Sequence, residues 1–98
     1  MRFRFDNDEL AKLYYEDVGG GKYPEAVVAA FFRRMEVIKG ASNENDLRAI
    51  KGNHFEKLEE EENTYSIRLN LTYRLIFGMD KDGTCTILLI REISNHYA

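Results

Sequence analysis

Cysteine is nearly missing from this 98-residue chain. Cys85 stands alone, so no internal disulfide can form, and no CxxC pair offers a zinc site. Long apolar runs are missing as well: the longest, Ile87-Leu88-Leu89-Ile90, falls far short of the ~20 residues a membrane helix needs. Nor does an apolar export segment open the chain, since Met1-Arg2-Phe3-Arg4-Phe5 runs directly into Asp6, Asp8 and Glu9. These absences lead to the expectation of a metal-free cytoplasmic protein with no cofactor and no membrane partner. No repeat or linker divides the sequence, and its one low-complexity tract is Glu59–Glu62, so residues 1–98 read as one domain. An excess of positive charge is also lacking. The 14 Lys+Arg against 17 Asp+Glu leave a net charge of −3, which argues against a generally basic nucleic-acid binder.

What is present suffices for a core, with 44% hydrophobic and 12% aromatic residues. Phe3 and Phe5 alternate with arginines and predict a short strand. Asp6 and Glu9 then approximate a capping box for a helix carrying Leu10, Leu13, Tyr14 and Val18, stopped by Gly19-Gly20-Gly21. Pro24 opens a second helix with the stripe Val27, Val28, Phe31, Met35, Ile38, and Gly40 ends it. Asn43 with Asp46 suggests one short capped turn bearing Leu47, closed by Gly52. His54 to Leu58 reads as a strand with Phe55 inward. From Thr64 the period is two, with Tyr65, Ile67 and Leu69, then Tyr73, Leu75 and Phe77, on one face. After a turn at Asp80–Gly83, Thr84 to Ile93 is apolar on both faces, as expected of a central strand. The order predicts an α+β fold, with two N-terminal helices packed on a twisted, mostly antiparallel sheet.

Parity also fixes where the polar residues point. If the odd-numbered residues share the core face, the connecting loop is Asn70-Leu71-Thr72, and Arg68 lies directly across from Arg74. Like charges facing each other destabilise a sheet. Either both guanidinium groups splay into water or find acids, or the face binds an anion such as phosphate. Glu92 is expected to pair with Arg91 or Arg68. The charge pattern leaves a basic face open, because residues 63–79 contain Arg68 and Arg74 and no acid, although residues 6–17 carry five acids and one lysine.

The stretches Lys51-Gly52-Asn53-His54-Phe55-Glu56-Lys57-Leu58, Tyr65-Ser66-Ile67-Arg68-Leu69-Asn70 and Tyr73-Arg74-Leu75-Ile76-Phe77 resemble the RelE/ParE toxin superfamily, and within it the HigB-like plasmid-maintenance killer proteins. That resemblance implies the toxin of a type II toxin–antitoxin pair. It further implies metal-independent endoribonuclease action on mRNA in the ribosome, and neutralisation by a helix-turn-helix, HigA-like antitoxin. Cleavage through the RNA's own 2′-hydroxyl needs a base, an acid and cations for the developing phosphorane charge. Arg68 and Arg74 can supply the charge, and His54 and His96 are the candidate proton-transfer groups. Lys51 and Lys57 are candidate RNA contacts, with Tyr97 as a ring to stack on a base. The tail Asn95-His96-Tyr97 departs from the Asp-Tyr-His-like end of the family, and the acidic Glu59–Glu62 stands where relatives are often basic. Two further readings stay open: a non-nucleolytic ParE-like inhibitor of DNA gyrase, and a partner that binds antitoxin but has lost toxicity.

Overall fold

The computed structural model describes residues 1–96, and its elements follow the predicted order. Strand β1 (Arg2–Phe5) leads into helices α1 (Asp8–Glu16), α2 (Glu25–Gly40) and α3 (Glu44–Ala49). Strands β2 (Glu56–Lys57), β3 (Tyr65–Arg68), β4 (Arg74–Asp82) and β5 (Cys85–Ser94) complete it. The sheet order is β1-β5-β4-β3-β2, with every neighbouring pair antiparallel except β1 and β5, which run parallel.

Local chemistry explains most boundaries and corrects some expectations. The N-cap of α1 is Asn7, not Asp6: the Asp6 N–H bonds to the Ile90 carbonyl and prolongs β1, whereas the Asn7 side chain accepts from the Leu10 N–H. The three glycines do not stop α1. Asp17 does, in the left-handed conformation at φ 55°, with its N–H bonded to the Leu13 carbonyl. Gly20–Lys22 then forms a 3₁₀ turn that leads to Pro24, the N-cap of α2. At α3 the Asn43 side chain accepts from the Asn45 N–H, while Asp46 reaches back to accept from the Ser42 N–H. The strand expected over His54–Leu58 shrinks to two residues, because His54 adopts φ 44° and breaks the extended run.

The helices cover one face of the sheet. Leu10, Leu13, Val27, Phe31, Met35, Ile38 and Leu47 pack against Ile67, Leu75, Phe77, Leu88 and Ile90 in one buried cluster. Phe3 meets both Phe5 and Tyr14 edge to face, and the three rings close its β1 end. Ile76 and Leu89 are also buried but lie outside this cluster, since parity turns them to the opposite, helix-free face.

The β3–β4 register is the one that parity dictated: Tyr65 faces Phe77, Ile67 faces Leu75, and Arg68 faces Arg74. The Asn70 side chain secures the connecting loop by accepting from the N–H groups of Thr72 and Tyr73. Strand β4 runs on to Asp82, so the turn is shorter than expected and rests on Gly83 at φ 65°.

Candidate active site

The helix-free face carries a cluster built around Arg74. Its side chain projects from β4 opposite Arg68 and is almost wholly buried, at 4% exposure. Neutral oxygens, more than acids, satisfy its guanidinium. Nε donates to the buried Ser66 hydroxyl at 2.7 Å, and Nη2 donates to the His54 carbonyl at 2.5 Å. The one carboxylate paired with it among the described residues, on Glu56, stands 4.0 Å away and is itself exposed. Burial pushes the Arg74 pKa down; Glu56 opposes that shift and Arg68 adds to it. An arginine in this condition is a charge partly stripped of water and only weakly neutralised, so an incoming anion gains more from it than from an exposed arginine.

His54 is the second element. Few non-glycine residues adopt its left-handed backbone, which costs of order 1–3 kcal/mol and persists only where neighbours fix it. Here the His54 N–H bonds to the Lys51 carbonyl, closing the 3₁₀ turn Lys51–Asn53, while its own carbonyl is held by Arg74. The ring is thereby presented to Arg68, with Nε2 3.2 Å from Nη1. A guanidinium can only donate, so Nε2 is the accepting nitrogen in this contact.

A third residue escaped the sequence reading. Arg34 of α2 donates from Nε to the Arg68 carbonyl at 3.0 Å and from Nη2 to the Gly52 carbonyl at 3.3 Å. It thus ties the strand that carries Arg68 to the turn that carries His54. Desolvation lowers its pKa, and the neighbouring Arg33 lowers it further. The signal was there in the helical pattern, because position 34 is three beyond Phe31 and four before Ile38, on the flank of the buried stripe. Ser66 and Glu56 were missed as well. Both are even-numbered residues in period-two stretches, which puts them on the same face as Arg74.

The structure thus brings Arg68, Arg74 and His54 together. Lys51 is exposed and adjoins His54 through the turn. Lys57 stands apart: it pairs with Tyr65, on the core side by parity, and lines a shallow groove with Leu58, Glu59, Glu60 and Glu61. His96 is exposed, its N–H bonded to the Ser94 hydroxyl, and Ser94 is the β5 partner of Arg74, so His96 lies at the Arg74 end of the sheet. Tyr97 falls outside the described residues. Glu92 forms no ion pair among the described residues, contrary to expectation; Arg91 instead donates to the Asn63 carbonyl and the Thr64 hydroxyl. No group of three His, Cys, Asp or Glu side chains is placed to hold a metal ion among the described residues.

Comparison with known proteins bears on the family and the fold. Residues 3–89 match the family model for the RelE-like toxin of type II toxin-antitoxin system HigB. Toxin HigB-1 of Vibrio cholerae is 38% identical over 78 residues, covering 79% of this chain and 82% of the relative. A protein of Haemophilus influenzae is 39% identical over 89 residues, covering 90% and 88% of the two chains. In fold, the chain is similar to the YoeB/ParE toxin from Agrobacterium tumefaciens, with a TM-score of 0.60 over 99% of this chain and 100% of that one, at 15% identity. From the helix layer, the mixed five-stranded sheet and the matched sequence together, this chain belongs to the HigB-like family of RelE-like toxins, and as a type II toxin it has an antitoxin for a partner.

Proposed function

We propose that this chain is a cytoplasmic endoribonuclease that enters the ribosome and cleaves mRNA, that residues 1–98 form one toxin domain, and that its antitoxin is a HigA-like helix-turn-helix protein. One observation carries the reading. Arg74 is buried, fixed by neutral oxygens and faced by a second arginine, which is a costly arrangement for a surface with no anion to bind.

Attack by the 2′-oxygen on the adjacent phosphate concentrates negative charge on the phosphorane oxygens. Arg74 is already oriented by Ser66 and His54, which leaves its remaining N–H groups to meet that charge, and preorganised donors of this kind are worth ~10²–10³ in rate. Arg68 supplies a second planar fork across the strand pair. His54 Nε2 is the candidate acceptor of the 2′-hydroxyl proton once Arg68 turns from it to the phosphate, and His96 at the same end of the sheet is the candidate donor to the departing 5′ oxygen. The nucleophile belongs to the substrate, so positioning supplies much of the remaining acceleration. Lys51 stands beside the turn as a phosphate contact, and Tyr97 is assigned to base stacking. Lys57 is assigned to RNA lying past the β2 edge.

The test is to induce the chain without its antitoxin in bacteria and map new RNA 5′ ends together with ribosome positions. Cuts in phase with codons, lost in Arg74→Ala, support the reading. Growth arrest without cuts but with a DNA-damage response points to a gyrase-type target. A folded, abundant protein that causes no arrest leaves antitoxin binding as its remaining activity.

A further inference from the structure

Arg91 is held in a way that neither its charge nor its place in a strand requires. Strand β5 slips register at this point: Ile76 pairs with Glu92 and Phe77 with Ile90, which makes Arg91 the extra residue of a bulge. Its guanidinium then lies across Gly78 in the middle of β4. A Cβ at position 78 would come within 2.7 Å of Arg91 Cζ and 3.0 Å of the Asn63 carbonyl, so a side chain there would displace the arginine. Glycine weakens a strand interior and marks a close approach from outside the sheet. The far end is fixed as well. Nη1 donates to the Asn63 carbonyl at 3.0 Å and to the Thr64 hydroxyl at 3.1 Å. Asn63, with a left-handed backbone, clamps the Met79 N–H and carbonyl through its own amide.

A pin for the loop would not need a charge, since a neutral amide can donate the same hydrogen bonds. The arginines of β1 are neutralised, Arg2 by Asp82 and Arg4 by Asp6. Arg91 forms no ion pair among the described residues. It also shares a face with Arg74 and Arg68, because Gly78 is separated from Arg74 by an even number of strand positions, about 13 Å at ~3.3 Å per residue.

We infer that Arg91 is a second phosphate-binding point on this face, holding the RNA backbone away from the cleaved bond. The inference rests on the endoribonuclease reading. A contact to a flanking phosphate tightens binding and leaves the chemical step alone, in contrast to Arg74.

The experiment measures affinity of the purified full chain for a single-stranded RNA with 2′-O-methyl sugars across a series of salt concentrations. Single-turnover cleavage on mRNA-programmed ribosomes is measured in parallel. Arg91→Gln should weaken binding about 5- to 20-fold and flatten the slope of log affinity against log salt by about 0.7, with cleavage at saturation unchanged. Gly78→Ala, which keeps every charge but pushes the guanidinium aside, should weaken binding several-fold and covers the case in which Arg91→Gln does not fold. Unaltered affinity and slope in the variants, while the parent still cuts RNA, would overturn the assignment and leave the nuclease reading standing. Weaker binding with an unaltered salt slope in Arg91→Gln would reduce Arg91 to a loop pin. A parent that neither binds nor cuts would overturn both.

Discussion

The two faces of the sheet are buried by opposite means. On the helix-covered face, Phe77, Leu75 and Ile67 are buried with Phe31, Met35 and Leu13 in one hydrophobic cluster. On the other face Ser66, Arg74, Ile76 and Gly78 are equally inaccessible, yet charged side chains and turning backbone share that surface. The first face stabilises the fold; the second holds cations and a strained residue in place. Loss of a side chain should therefore cost stability on one face and activity on the other.

Phe77→Ala should show the largest effect, about 3–5 kcal/mol of stability, with toxicity lost because the protein unfolds. Urea denaturation checks it, and a loss below 1 kcal/mol would break the contrast. Arg74→Ala should remain folded, at a cost of about 1–2 kcal/mol for leaving the Ser66 and His54 oxygens without their donor, while cleavage falls ~10²–10³-fold. Arg34→Met should lower the cleavage rate about tenfold with little change in RNA affinity, as expected if a positioning residue moves His54 relative to Arg68. Single-turnover kinetics against binding separates these. His54→Gly sharpens the comparison most, because it should raise stability by about 1 kcal/mol by relieving the left-handed backbone while abolishing cleavage. A thermal melt beside an activity assay tests both halves.

The smallest effect is expected at the exposed pair of Lys22 and Glu9. The hydrogen bond and charge of Lys22 hold the Glu9 carboxyl below its ordinary value. A carboxylate shifted that way adds stability that is complete at neutral pH and disappears as pH falls through its lowered folded value. Lys22→Met should lower the unfolding midpoint slightly at pH 7, and the difference from the parent should close as pH falls below about 4.5.

The covered face was legible in the sequence because it obeys two periods. The stripe from Val27 to Ile38 and the alternation from Tyr65 to Phe77 each specify a buried surface from local spacing alone, and parity then set Arg68 across from Arg74. The same parity, applied to Phe55, would have placed Lys57 on the core side of the edge. The open face was harder to read because its key features interrupt periodicity. His54 breaks its strand by leaving the extended region. Arg91 is an added residue in a run whose apolar residues on both faces hide the slip; only the three-residue spacing of the inward Ile90 and Ile93 records it. The Asn7 cap was misplaced by one residue because the Asp6 backbone is taken by a strand partner distant in sequence.

The parallel pairing of β1 with β5 has a consequence for how the chain is made. Residues 2–5 are synthesised early, yet their partners in the sheet are residues 87–90. Some eighty residues must emerge before that seam can close, and contacts of such long sequence separation form slowly. The apolar side of β1, Phe3 and Phe5, stays without its strand partner until then. The finished sheet is therefore a property of the whole chain, and a product that stops short of residues 87–90 has no central strand for β1 to join.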